Sequence, residues 1–408
     1  MSFRGFSLST MCLTFFGMGW ANAAMGPLLS SFAANVGLPL SQAGLTFTVA
    51  FFGGVLANLA GGPMSDRLGR GKVLLFSLLV GTVATFGLTL CRSLPVLLLF
   101  AFFSGVGGSG VILSASALVT DLFAERSVAA LNLATLFFGI GAFTGPTMVS
   151  LSFGLWQTGM PALWLGIAVG LLFNVPLVAV VMRRIAAAEK PSAGLQVSAG
   201  TTPEASGAPA SGSILRAPLL WVFGAVLLFD VGTEQTIGAW TTVYMTQSAA
   251  LAIEQAALVV SGFWVTFTLG RLGAAGIGSR WSSGAVLFAS LATGAAGILL
   301  VNLGTGSVFP SVLGFLLTGL GFGPLFPTVV ALVGRTFGRN AGAAMGITMT
   351  LGSVGGMFMV WFEGALITGI GPAAGVRLFA FTFVAIAVLA VAARFLTRSA
   401  HAARPRAR

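Results

Sequence analysis

Gly62-Pro-Met-Ser-Asp-Arg-Leu-Gly-Arg-Gly-Lys72 is a short polar interruption between two apolar runs, at about 42–65 and 73–91. It concentrates Asp66, Arg67, Arg70 and Lys72 in a chain that is otherwise nearly bare of charge. Gly62 permits close helix approach and Gly69 a tight turn. Asp66 falls at a helix end, where it can pair with a basic residue or a neighbouring helix N-terminus. Around this loop the 408-residue chain is 56% hydrophobic and 7% charged, with a mean hydropathy of +1.00. Soluble domains carry about 25% charged residues. A chain this apolar cannot cover a water-facing surface, which implies a polytopic all-α membrane protein embedded in a lipid bilayer.

A spanning helix needs roughly 20 predominantly apolar residues. Twelve stretches satisfy this, at about 8–34, 42–65, 73–91, 95–120, 127–153, 161–182, 217–246, 254–277, 285–303, 308–333, 341–368 and 375–396. Basic residues follow every even-numbered stretch: Arg67, Arg70 and Lys72; Arg126; Arg183 and Arg184; Arg280; Arg335 and Arg339; and the tail from Arg398. The opposite loops hold only Arg92 and Arg377. The positive-inside rule then puts both termini in the cytoplasm, as expected of a multi-pass plasma-membrane protein (the inner membrane in a bacterium). The net charge of +11 is spread over these loops and the tail, so a nucleic-acid partner is not expected.

The interval 185–215 is rich in Ala, Ser, Gly, Pro and Thr and lacks periodicity, so it reads as a flexible cytoplasmic linker. It divides the chain into an N-terminal six-helix bundle (1–184), a C-terminal six-helix bundle (216–398) and a basic tail (399–408). The halves read as distant copies. At an offset of 214, Ala117-Leu-Val119 recurs as Ala331-Leu-Val333, Phe123 as Phe337, Ala129-Ala130 as Ala343-Ala344, and Gly141 as Gly355. Parallel repeats related by an axis along the membrane normal place a binding site between them near the midplane.

The loop after the second stretch resembles the G-x-x-x-D-R-x-G-R-[RK] signature of the major facilitator superfamily, and the six-plus-six organisation extends the resemblance over the whole chain. That resemblance implies the major facilitator fold, with twelve transmembrane helices in two pseudo-symmetric six-helix bundles. It also implies a cytoplasmic gate of Gly62, Asp66, Arg67, Gly69 and Arg70, reaching Asp121 and Glu125 in the next cytoplasmic loop and latching that side in the outward-open state. Drug exporters of the superfamily carry an arginine four residues before the first glycine of the fourth helix; here that position is Ala101. Ala130-Leu-Asn132-Leu, Phe137-Phe-Gly139-Ile-Gly141, Asp230-Val-Gly232-Thr-Glu234 with Gly238-Ala-Trp240, and Gly323-Pro-Leu-Phe-Pro327 look like the fucose/glucose-type sugar symporters. Those symporters use acids in their first and fourth helices, whereas the first stretch here offers Asn22 and no acid.

The coupling task then moves to the seventh stretch. Asp230 and Glu234 are one helical turn apart, and intramembrane acids read as functional by default. Such a pair in a low-dielectric span resists simultaneous ionisation, so it suits a proton or a bound sodium ion. Glu363 is the third intramembrane acid, with Arg377 as its nearest candidate partner; Arg271 is another candidate for the pair. Trp20, Asn22, Gln235, Trp240, Trp264 and Trp361 are candidate substrate residues, because aromatic faces and amides together hold a pyranose. Gly232 and Gly238 suggest a seventh helix weak enough to bend or unwind. His401 lies in the tail, Cys12 and Cys91 have no metal-ligand spacing, no cleavable leader is evident, and nothing resembles a catalytic constellation. The expectation is a monomeric transporter, not an enzyme, with no cofactor beyond a coupling proton or sodium ion. It would take up a polar small molecule, foremost a sugar, by symport; proton-coupled efflux of amphipathic molecules is the alternative.

Overall fold

A computed structural model of the chain describes residues 3–123, 127–188, 214–277, 280–337 and 341–402. They form twelve helical segments: α1 (Phe3–Val36), α2 (Leu40–Leu68), α3 (Arg70–Leu90), α4 (Leu94–Phe123), α5 (Ser127–Trp156), α6 (160–188), α7 (Pro218–Ser248), α8 (Ile253–Ile277), α9 (Ser283–Leu303), α10 (308–337), α11 (Ala341–Gly369) and α12 (Pro372–Ala402). Two of them are interrupted. A π-turn, Gly170–Asn174, splits α6 into Met160–Val169 and Val175–Ala188. Pro324 lacks the N–H that would continue the ladder, so α10 divides into Val308–Phe322 and Leu325–Phe337. Gly69, at φ 89°, makes the one-residue corner between α2 and α3 that its sequence position predicts.

Among the described residues, eleven helices are long and apolar enough to cross a membrane. The segment outside that set is α1, whose 34 residues suffice in length but include Ser7, Ser9, Thr10, Thr14, Asn22, Ser30 and Ser31. It tolerates them because it is wrapped by other helices. Ser7, Thr10 and Thr14 donate their hydroxyls to carbonyls one turn back, satisfying groups that lipid would leave bare. Apolar side chains point outward instead on the peripheral helices, as with Phe76, Leu172, Leu303 and Phe309.

The closest pair in the first half is α1 with α5, and in the second α7 with α11. Both rest on the same device. A Cβ at Gly141 would overlap the Phe16 carbonyl of α1, and one at Gly355 would overlap the Leu228 carbonyl of α7. These glycines stand at the 214-residue offset, so the repeat appears in three dimensions as equivalent backbone-to-backbone crossings, the small-residue packing that lipid favours.

The halves meet through α2 with α11, α5 with α8, and α1 with α7. These contacts lie from the midplane to the side remote from the chain termini. Thr48 Oγ1 donates to the Met357 carbonyl at 3.5 Å, Phe51 abuts Gly356, and the hydroxyls of Thr147 and Ser261 are 3.0 Å apart. A remote-side cluster binds Leu29, Ala33 and Ala43 of the first half to Ala239, Trp240 and Val360 of the second. On the terminus side Leu59 of α2, in phase with Thr48, and Met349 and Thr350 of α11 are exposed, and nothing described lies within 4 Å of where a Cβ on Gly346 would stand. The molecule is therefore shut on the remote side and parted on the terminus side.

Candidate substrate cavity and the buried carboxylates

A cavity of about 240 Å³ lies at the midplane, walled by α1, α2, α3, α4 and α6 of the first half and closed by α7 and α8 of the second. Trp20, Asn22, Gln235 and Trp264 line it, as the sequence leads one to expect of a shared site. Trp20 reaches it from α1 with its ring edge-on to Phe16, 5.8 Å between centroids. Trp264 enters from α8, held edge-on by Phe263 and Phe267. Both tryptophans are buried, and among the described residues neither indole N–H has a hydrogen-bond partner. Among the described residues none that lines it is charged.

Two candidates are elsewhere. Trp240 is 1% exposed and sits in the remote-side seal, its Nε1–H donating to the Val360 carbonyl at 2.9 Å. Its ring fits between α2 and α11 because both neighbours lack side chains: a Cβ at Gly44 would stand 2.7 Å from Cζ2, and one at Gly364 would overlap the same edge. Trp361 follows Val360 on α11 and points outward, 46% exposed. The two tryptophans were alike in sequence; helix phase separates them.

Asp230 and Glu234 do share a face of α7, but the face lies behind the cavity wall rather than in it. Asp230 is 1% exposed, and both carboxylate oxygens lack a hydrogen-bond partner among the described residues. Glu234 Oε1 accepts from Gln235 Nε2 at 3.4 Å, so Gln235 connects the pair to the cavity it lines. The Arg271 guanidinium acts electrostatically on both acids, yet among the described residues no ion pair joins it to either. Its Nε donates instead to the Gly323 carbonyl at 3.0 Å, at the break in α10, and its guanidinium lies 4.5 Å over the Phe267 ring. Glu363 is 1% exposed with Oε2 unpartnered among the described residues, its Oε1 facing Gly375 of α12. The expected pairing with Arg377 is not formed, since Arg377 is turned to the exposed side of α12.

The gate residues are partly assembled. Arg70 forms an ion pair with Asp121 and donates to the Ala117 carbonyl at 2.9 Å. Arg67 is exposed in the last turn of α2. Gly62 and Asp66 lie on α2, but the Asp66 side chain and Gly62's surroundings fall outside the described residues, as does Glu125 altogether. The Arg70–Asp121 pair joins α3 to α4 within one half. In this state α7 runs unbroken through Gly232 and Gly238, from Pro218 to Ser248. Gly232 makes room for Met359 and Gly355 of α11, and Gly26 of α1 makes room for the Gly238 carbonyl.

The cavity also contains polar residues that periodicity did not single out. Asn174, 3% exposed, projects from the π-turn of α6 beside Gly17 of α1. Ser77, Thr82, Thr85, Ser104 and Ser109 add hydroxyls. The available signal was Pro176, which cannot donate to the carbonyl one turn earlier and so disturbs α6 just where Asn174 emerges.

Comparison with known proteins agrees with this architecture. The Major Facilitator Superfamily model matches residues 11–252. Sodium-dependent glucose transporter 1A of Mus musculus is 24% identical over 144 residues, 35% of this chain and 34% of its own. The 4-hydroxybenzoate transporter PcaK of Acinetobacter baylyi is 32% identical over 108 residues, 26% of this chain and 24% of its own. The chain thus spans only about a third or less of the length of these curated relatives. Among solved structures, the nucleoside transporter NupG superposes with a TM-score of 0.73 at 14% identity, covering 97% of this chain and 99% of its own. An inward-facing, unoccupied bacterial homologue of the human lysosomal transporter Spinster gives 0.68 at 15% identity, covering 97% and 96%. At these identities the likeness is one of fold. With the family model covering more than half of the chain, this protein belongs to the Major Facilitator Superfamily, a family of membrane transporters rather than enzymes.

Proposed function

We propose that the protein is a secondary active transporter that moves a neutral polar small molecule, a sugar foremost, by alternating access coupled to a proton or sodium ion. The observation that carries this reading is the arrangement around Gln235. It lines a cavity of tryptophans, amides and hydroxyls, while Glu234 accepts its amide and Asp230 is buried with neither oxygen hydrogen-bonded among the described residues. Cation arrival at this pair neutralises it and changes what Gln235 is held by, so ion and cargo each alter the other's binding. The relatedness to sodium-dependent glucose transporters points to the same cargo class.

In this reading residues 1–184 and 216–398 are the rocking bodies, 185–215 the cytoplasmic linker and 399–408 a basic tail. The terminus side is cytoplasmic, the membrane is the plasma membrane, and the protein works as a monomer. The Arg67, Arg70 and Asp121 neighbourhood, with Gly62, Asp66, Gly69 and Glu125, would close the cytoplasmic side when the halves rock the other way. Glu363 is an auxiliary ion-coupling candidate within the second body, and Trp240 acts on transport through the seal.

Proteoliposomes loaded with protein and given radiolabelled D-glucose test the reading. A proton or sodium gradient drives accumulation by the wild type, and Asp230→Asn and Glu234→Gln reduce it to equilibration. Full gradient-driven uptake by both variants would sink the coupling role. One observation favours efflux as a second reading: Phe16, Met18, Met25, Phe47 and Phe51 give the cavity a broad apolar wall. The chloramphenicol resistance protein CraA of Acinetobacter baumannii is 30% identical over 105 residues, 26% of this chain and 25% of its own. Proton-driven export of chloramphenicol without glucose uptake would establish that alternative.

A further inference from the structure

One buried polar group of the cavity, Asn174, has no counterpart at the 214-residue offset, where Val388 stands. Pro176 removes a ladder hydrogen bond from α6, and the helix responds with the π-turn Gly170–Asn174, closed by the Val175 N–H donating to the Gly170 carbonyl. π-turns inside helices occur mostly as single turns and frequently at functional sites. This one turns Asn174 inward onto α1. The Thr14 hydroxyl lies 2.8 Å from Asn174 Oδ1 and 2.9 Å from the Thr10 carbonyl, so its single proton serves one of two acceptors. In this orientation Asn174 presents its Nδ2 amino group beside Gly17, at the cavity wall.

Two further residues with donor groups line the same cavity. Trp20 from α1 and Trp264 from α8 are each at least nine-tenths buried, line the cavity and lack any described partner for the indole N–H. Indole is a donor only, and buried tryptophans normally find an acceptor for it. Three helices therefore contribute donors, while among the described residues none that lines the cavity carries a charge. A ligand that completes this set must offer several acceptor oxygens. It must also be neutral, because a net charge would enter a low-dielectric site with no counter-charge.

We propose that Asn174, displayed by the π-turn of α6, forms with the Trp20 and Trp264 indole N–H groups a three-point donor site that selects neutral, multi-oxygen ligands such as hexoses over carboxylate-bearing ones. The proposal rests on the transport reading above but extends the site into the first half, away from α7.

The test uses purified full-length protein in nanodiscs, with D-glucose, 4-hydroxybenzoate and chloramphenicol as probes in equilibrium binding. Melting without ligand is recorded alongside. The wild type is expected to bind glucose and to bind 4-hydroxybenzoate at least tenfold more weakly. Asn174→Ala and Trp20→Phe each weaken glucose about tenfold, the loss of one hydrogen bond to a neutral ligand. Asn174→Asp, which keeps the shape and removes the donor, weakens it by at least as much. Thr14→Val, which removes only the partner of Asn174, lowers melting while changing glucose affinity less than Asn174→Ala does. Glucose affinity unchanged in Asn174→Ala and Trp20→Phe would overturn the proposal while leaving the transport reading intact. If Asn174→Ala does not fold, Trp20→Phe and Trp264→Phe carry the same comparison. A wild type that binds 4-hydroxybenzoate as well as or better than glucose overturns the donor-site selectivity and, with it, the sugar reading. Chloramphenicol binding insensitive to Asn174→Ala, Trp20→Phe and Trp264→Phe, with no glucose binding, would overturn the donor site, place that molecule on the apolar wall and favour export.

Discussion

Replacing Trp240 should unbalance the two sides of the molecule. The indole is 1% exposed and fills the space between α2 and α11 that Gly44 and Gly364 leave open. A buried tryptophan covers roughly 150–250 Å², and truncating one to alanine costs about 3–5 kcal/mol. The hydrogen bond to the Val360 carbonyl stays within the second half and survives opening. What opening exposes is the ring face against Gly44, Ala43 and Phe47 of α2. If that is about half of the buried surface, Trp240→Ala should remove about 2 kcal/mol from the remote-closed state alone, a shift of roughly 30-fold toward remote-open. Trp240→Phe retains most of the ring and should shift the balance about fivefold, near 1 kcal/mol. The readout is the distance between spin labels at Ala34→Cys and Gln247→Cys, both exposed near the remote ends of α1 and α7, with buried Cys12 and Cys91 replaced by serine. Longer distances should gain weight in the order wild type, Phe, Ala. An unchanged distribution in a folded Trp240→Ala protein would refute the seal as a determinant of which side is open.

Gly26→Ala should act in the same direction by another route, since its Cβ would overlap the Gly238 carbonyl and push α1 from α7; the same label pair reads it. Gly355→Ala should be more damaging to the fold, because the Leu228 carbonyl it meets belongs to the tightest pair of the second half, and thermal melting should fall by several degrees. Arg70→Ala should change melting little: its pair with Asp121 is 32% and 52% exposed, and such pairs contribute at most about 1 kcal/mol. Glu363→Gln should leave melting unchanged or raised, because Oε2 has no described partner to lose; a fall of several degrees would reveal a partner for the carboxylate.

Much of the architecture was written locally. Twelve apolar stretches correspond to the twelve helical segments, and the 214-residue offset anticipated two like halves. The boundaries moved outward where helices extend beyond the bilayer: α1 begins at Phe3 rather than near residue 8, and α12 continues to Ala402. The site was legible in part. Trp20, Asn22, Gln235 and Trp264 converge as expected, because the helices carrying them occupy central positions in both halves. Trp240 and Trp361 do not, because the rotation of α7 and α11 about their axes sends one into the seal and the other outward. Asn174 was passed over although Asn22 was not, because only the π-turn of α6 turns it inward onto α1.

Sequence by itself determined that this chain lives in a membrane, how many apolar helices it forms and how its halves repeat. Each of these depends on hydrophobicity and charge summed along a single segment, against a bilayer of fixed thickness. Tertiary structure decided which side is closed, that Asp230 and Glu234 stand behind Gln235 rather than among the residues lining the cavity, and that Gly232 of α7 packs against α11. Those properties belong to pairs of helices. Their relative rotation and depth are set by where small residues let one backbone touch another, as Gly26 does with Gly238 and Gly355 with Leu228.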